Sequence, residues 1–206
     1  MNKQKQEMEI GFTQEKLPDC HHLCLIYDND AQHRKIVSEY LAAGIKGGEI
    51  VRYFTDMTAP NDIRAWLSEM GIEPKEDDSF RTIEAGSSYY PGGSFVPQQV
   101  IDNAVSRYAM AREAGYIGSR VTGEMSWVLR GIPGSNRLLE YEIGLNMIQN
   151  DFPHIGMCQY DARLFDGATL FQILQVHPYM IAQGQIVKNP FYIKPEEFLE
   201  NLRAKD

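Results

Sequence analysis

The feature that most limits the folds open to this chain is a repeated switch between short apolar runs and segments with helical spacing. Each switch is punctuated by glycine or by capping residues. The first run, Leu23-Cys24-Leu25-Ile26-Tyr27, is continuously apolar. A half-exposed strand would alternate, so a continuous run predicts a strand covered on both faces. Asp28-Asn29-Asp30 follows, offering side-chain oxygens to the free amides of a helix N-terminus. Ile36, Val37, Tyr40 and Leu41 then fall at helical spacing. That helix is predicted to stop at Gly44, with Ile45-Lys46-Gly47-Gly48 turning the chain into a second strand, Glu49 to Thr55.

The pattern recurs. A helix from Pro60 to Met70 carries Ile63, Trp66, Leu67 and Met70 on one face and ends at Gly71. Phe80 to Ile83 is a short strand, and Ala85 to Phe95 (AGSSYYPGGSF) is an irregular loop with the composition of a mobile lid. Further helices are predicted at Pro97–Ala114, Leu138–Asn150 and Ala168–Val176, with strands at Tyr116–Thr122 and Ile155–Tyr160 between them. Met180-Ile181 and Gln185–Lys188 suit a hairpin ahead of a last helix from Pro195. Strands separated by helices need crossover connections, hence a mostly parallel sheet covered on both sides. The predicted architecture is three-layer α/β/α in one domain, residues 19–206, behind a loosely attached tail or short helix, residues 1–18.

A length of 206 residues with 43% hydrophobic and 23% charged side chains suits a globular domain with a sizeable core. A net charge of −8 argues against direct nucleic-acid binding, which needs a basic face. No apolar run reaches the roughly 20 residues that cross a bilayer. Met1 to Lys16 lacks a signal-peptide core, so the expected location is cytoplasmic, without membrane contact. Cys20, Cys24 and Cys158 are too few for a disulfide framework and are expected as free thiols.

A RecA-like hydrolase would carry G-x-x-x-x-G-K-[ST] after its first strand, its amides and lysine cradling phosphates. Here Asp28 to Lys35 (DNDAQHRK) stands in that place, with no glycine and two carboxylates that repel a triphosphate. Lys35 is expected on a solvated helix face. Other hydrolase, thiol-redox and dinucleotide motifs are absent as well. The expected protein is therefore not an enzyme and needs no cofactor.

In open α/β sheets ligands sit beyond the carboxyl ends of the strands. Reading those ends collects Tyr27, Asp28, Arg120, Glu124, Trp127, Tyr160, Asp161 and His177 as candidate ligand-binding residues. An Arg120–Glu124 ion pair that only fixes the turn is the competing interpretation. Glu124 is also the general base that an atypical nucleotide or metal hydrolase would use. Trp127, Met125, Tyr89, Tyr90 and Phe95 suit either a pocket wall or plain core. His22, Cys24, Cys158 and His177 form a possible metal set, set against their reading as buried filler. Glu140 and Glu142 point to different helix sides, and Glu140 can pair with Arg137.

Several segments resemble one family in order along the chain. They are His22–Tyr27, Gly44-Ile45-Lys46-Gly47-Gly48-Glu49, Arg120–Trp127 (RVTGEMSW), Glu140-Tyr141-Glu142, Cys158-Gln159-Tyr160-Asp161, His177-Pro178 and Asn189-Pro190-Phe191-Tyr192. The resemblance is to the methanogen/methylotroph, DcmR-like sensory domain (MEDS). It implies a RecA/KaiC-like fold with a degenerate phosphate loop and a role in signal transduction, with a small hydrocarbon derivative or C1-type metabolite as the ligand. It also implies a regulatory partner such as a histidine kinase or transcription regulator, and a homodimer is compatible with it. A protein-interaction module without a small ligand is the alternative.

Overall fold

The computed structural model describes residues 7–18, 21–74, 79–148 and 153–203. An antiparallel hairpin of β1 (Glu7–Glu9) and β2 (Lys16–Pro18) precedes the main sheet. The sheet strands are β3 (His21–Tyr27), β4 (Ile50–Thr55), β5 (Phe80–Glu84), β6 (Ser119–Glu124), β7 (His154–Asp161), β8 (Tyr179–Ala182) and β9 (Gln185–Lys188). They lie in the order β5-β4-β6-β7-β3-β8-β9, parallel throughout except for the antiparallel β8–β9 pair. The helices are α1 (Asp30–Lys46), α2 (Pro60–Glu69), α3 (Ala85–Tyr89), α4 (Pro97–Glu113), α5 (Leu138–Met147), α6 (Gly167–Gln175) and α7 (Pro195–Arg203).

Alternation along the strands divides the core. Leu23, Leu25 and Tyr27 pack with Ile36, Val37, Tyr40 and Leu41 of α1 and with Ile63 and Leu67 of α2. Cys24, Cys158 and Tyr160 face the other way, among Leu138 and Tyr141 of α5 and Ile173 of α6. Each fully buried aliphatic side chain contributes about 1.5–3 kcal/mol relative to exposure. On its outer side α5 meets α7, where Ile143 packs with Val176 and Phe198. The three-layer, mostly parallel α/β fold predicted from the sequence is what forms.

Several local predictions need correction. Residues 7–18 are not a loose tail: Met8, Ile10 and Leu17 of the hairpin segment are buried in the core. Residues 1–6 and Cys20 lie outside the described residues. The glycine-rich segment after Ala85 is not an open loop. It begins as α3, and Tyr89 and Phe95 are buried. The strand predicted from Tyr116 starts only at Ser119 and runs on to Glu124. Nor does α1 stop at Gly44; it continues to Lys46 and ends on Gly47, whose amide donates to Ala43 O at 2.9 Å. Gly44 is needed for close approach, because a Cβ there would stand 2.6 Å from Arg120 Nε.

Arg120 is the second residue of β6 and is wholly buried. It does not pair with Glu124. Its Nε and Nη2 donate to the two oxygens of Glu49 at 2.7 and 2.9 Å. Nη1 donates to Tyr40 O at 3.1 Å, and Nη2 to Glu9 O at 2.6 Å. The guanidinium carbon also lies 4.7 Å from the centre of the Tyr40 ring. One side chain thus joins the N-terminal hairpin, α1, β4 and β6.

The junction where a phosphate loop would sit is short and filled. Only Asp28 and Asn29 separate β3 from α1. Asn29 Oδ1 accepts from Gln32 N at 2.8 Å, closing the helix N-terminus. Arg163 bridges Asp161 and Asp30 across it, at 2.7 Å to each. His33 stacks on Tyr27 with ring centres 4.2 Å apart and meets Gln159 Oε1 at 2.6 Å. Gln159 Nε2 donates to Thr122 Oγ1 at 2.7 Å, so its Oε1 accepts and His33 Nε2 carries the proton. Lys35 is exposed, as predicted.

Two outcomes follow. Arg120→Ala leaves the Glu49 carboxylate buried and unpaired, and is expected to cost about 3–5 kcal/mol in urea denaturation. Arg120→Lys should recover little of that loss, because an ammonium cannot make the forked pair. Burial holds His33 below the ordinary histidine value, outweighing the Gln159 hydrogen bond and the carboxylates of Glu124, Asp161 and Asp30. The unfolded chain therefore takes up this proton first, at about pH 6.5. The His33 contribution is full above that pH and is lost as pH falls through the lowered folded-state value. Urea denaturation at pH 7.5 and 5.5 should show a smaller loss on acidification in His33→Gln than in the unsubstituted chain.

Candidate functional site

At the carboxyl edge, Tyr27, Asp28 and Asp161 come together as predicted. Their polar groups are largely engaged by the chain itself. Asp28 is exposed and accepts from Asn29 Nδ2 at 2.8 Å; Asp161 Oδ1 accepts from Arg163 N and Nε at 2.9 and 2.8 Å. Glu124 ends β6 at the same edge but is 2% exposed. Its carboxylate accepts from Tyr53 Oη at 2.9 Å, Met57 N at 2.6 Å and Thr58 N at 3.1 Å. Asp56 N and the Thr58 hydroxyl add further hydrogen bonds. A carboxylate has about four lone-pair sites, and these donors saturate them. Glu124 pins the loop between β4 and α2 and has no oxygen left to serve as a general base. Arg120, at about 3.3 Å per strand residue, lies some 13 Å away at the opposite end of β6.

Trp127 is buried, stacked on Tyr89 with ring centres 5.0 Å apart and edge-on to Phe95 at 4.8 Å. It is a core residue beside the edge. The indole Nε1 has no hydrogen-bond partner among the described residues.

Tyr160 and His177 do not reach the edge. They face a buried cluster beneath α5, formed by His22 of β3, Glu142 of α5, Cys158 of β7 and His177, which follows α6. Parallel pairing sets Cys24 opposite Cys158 and His22 opposite Gly156, which places the His22 ring beside the thiol. His22 Nε2 lies 3.3 Å from Cys158 Sγ and 3.0 Å from Glu142 Oε2. Glu142 Oε2 is also 3.4 Å from Cys158 Sγ and 3.4 Å from His177 Nε2. Tyr160 Oη donates to the other oxygen, Oε1, at 2.5 Å. Burial, together with neighbouring His177, holds His22 below its ordinary value. Burial and the Glu142 carboxylate push the Cys158 thiol well up.

Three of the four sequence-predicted metal candidates meet here. The fourth, Cys24, is core filler two residues beyond His22 on β3, and Glu142 takes the remaining place. The signal for Glu142 was its setting, since Leu138-Leu139-Glu140-Tyr141-Glu142-Ile143 is too apolar to solvate both carboxylates. Glu140 does pair with Arg137, Nη2 to Oε2 at 2.7 Å, on the outer surface.

A small cavity of about 30 Å³ adjoins the cluster, lined by His22, Cys158, Gly156, Tyr89, Tyr108 and Tyr141 among others. A wider cavity of about 440 Å³ opens near the amino ends of the strands, with Glu9, Glu39, Lys46 and Glu49 on its walls. Among the described residues no helix is long and apolar enough to cross a membrane.

The transcriptional repressor DcmR of Methylorubrum extorquens is 27% identical over 157 residues, covering 76% of this chain and 57% of the repressor. The chain thus spans little more than half the length of that relative. Among solved structures, the KaiC-like protein PH0186 from Pyrococcus horikoshii OT3 superposes with a TM-score of 0.55 at 12% identity, over 86% of this chain and 80% of that one. The flagellar accessory protein FlaH from Methanocaldococcus jannaschii gives a TM-score of 0.60 at 8% identity, over 89% of this chain and 84% of that one. Both establish a KaiC-like, RecA-like fold. The model of the MEDS family, "MEthanogen/methylotroph, DcmR Sensory domain", matches residues 21–178, and the chain belongs to that family of sensory domains.

Proposed function

We propose that this domain binds a small, weakly polar molecule, a hydrocarbon derivative or C1-type metabolite, and passes its presence to a regulatory partner without chemical turnover. The observation that carries this is the small cavity under α5, walled by tyrosine rings and by His22 and Cys158. A void of about 10–15 Å³ admits one water-sized probe, so about 30 Å³ suits a molecule of a few heavy atoms. The filled junction between β3 and α1 supports binding in the interior over nucleotide binding at the sheet edge. Of the residues singled out in the sequence, His177 and Tyr160 serve such a site by holding Glu142. Trp127 serves it by backing Tyr89. Membership of a sensory family and likeness to a transcriptional repressor support the regulatory output.

Gly156 offers a clean test. A Cβ added there meets nothing closer than His22 Cδ2 at 3.9 Å, so alanine fits without strain and occupies part of the cavity. Thermal denaturation is run against a panel of one- to three-carbon alcohols, amines, thiols and halides. At least one compound should stabilise the chain, by about 2.7 kcal/mol at a hundredfold excess over Kd. Gly156→Ala should keep its basal melting temperature and lose most of that response. A flat response of the unsubstituted chain to the whole panel would sink the proposal.

A further inference from the structure

The cluster beneath α5 sets four metal-capable donor atoms facing one another in a fully buried site. His177 Nδ1 donates to the carbonyl of Ile173 at 2.8 Å, which fixes the ring with Nε2 turned toward the cluster. Nε2 lies 3.4 Å from Glu142 Oε2 and makes no well-formed hydrogen bond among the described residues. A carboxylate in a fully buried site needs a cation close by. The residues come from four separate parts of the fold (β3, α5, β7 and the turn after α6), so local chain geometry does not account for their convergence.

We propose that His22 Nε2, His177 Nε2, Cys158 Sγ and Glu142 Oε2 hold a divalent transition metal of borderline softness, zinc or iron(II). Metal–nitrogen and metal–oxygen bonds of about 2.0–2.2 Å and a metal–sulfur bond of about 2.3 Å place the donors of a tetrahedral site roughly 3.3–3.8 Å apart. Four of the six donor separations are 3.0, 3.3, 3.4 and 3.4 Å, and all the donor atoms lie within 4.8 Å of one another. An ion fits among them once the longest of these separations closes by about 1 Å, which side-chain rotation supplies. A thiolate with two imidazoles favours zinc or iron over magnesium or calcium, which take oxygen ligands. The charges also close: a thiolate and a carboxylate neutralise a divalent ion, and the thiol proton leaves on binding. The outer partners are of the usual kind, with the Ile173 carbonyl orienting His177 and the Tyr160 hydroxyl on the second oxygen of Glu142. This inference does not depend on the ligand-sensing proposal.

The test uses the whole chain, purified without chelators, then stripped and dialysed against Zn²⁺, Co²⁺ or, under anaerobic conditions, Fe²⁺. One equivalent of metal per chain by elemental analysis is expected, with a near-ultraviolet thiolate-to-cobalt charge-transfer band in the Co²⁺ form. Cys158→Ser should lose the band, His177→Ala should lower occupancy at least tenfold at limiting metal, and Cys24→Ser should retain both signals. Failure of the unsubstituted chain to take up any of the three ions would overturn the proposal, whatever the variants do. So would a charge-transfer band that survives in folded Cys158→Ser.

Discussion

Everything on the α1 side of the sheet is organised around one buried guanidinium. Arg120 lies between β6 and α1, forked onto Glu49 and capping the carbonyls of Tyr40 and Glu9. The pair is costly to desolvate, so it stabilises the fold only because nearly all of its hydrogen bonds are made. That requirement propagates outward. Gly44 must be glycine for the helix to pass, Glu49 must directly precede β4, and the hairpin of β1 and β2 must lie against the sheet to supply a carbonyl. A side chain with the look of a ligand-binding arginine in the sequence is therefore the internal tie of the fold.

Much of the architecture was legible because it rests on local chemistry. Pro60 and Pro97 open helices, Asn29 caps one, and the run Leu23–Tyr27 declares a strand buried on both faces. The failures were of two physical kinds. Three-residue strands such as Glu7–Glu9 are too short to show alternation, so the hairpin looked like a tail. The end of β6, Gly123-Glu124, has poor strand propensity, yet Gly123 is required because a Cβ there would collide with the Tyr89 hydroxyl. Tertiary fit overrode local preference.

The site was legible in part for a different reason. His22, Cys158 and His177 were visible as metal-capable residue types, but His22 and Cys158 are 136 residues apart and meet only through the parallel pairing of β3 with β7. No local pattern carries that register. Once strand order is known, the same alternation that buries Leu23 and Leu25 against α1 turns His22 and Cys24 toward α5. The carboxyl edge, where nucleotides bind in proteins with a phosphate loop, is closed here by Asn29, His33 and Arg163. The fold keeps the RecA-like frame while its reactive side chains gather in the interior.

Glu142 and Ile143 are consecutive residues of α5, the first facing the cluster and the second packed against Phe198 of α7. Ten residues at about 1.5 Å rise make a rod roughly 15 Å long, too short to bend appreciably. Through it the buried cluster and the outer helix share one rigid element. The outer helix α7 thereby rests on the same short helix that carries a carboxylate out of reach of solvent.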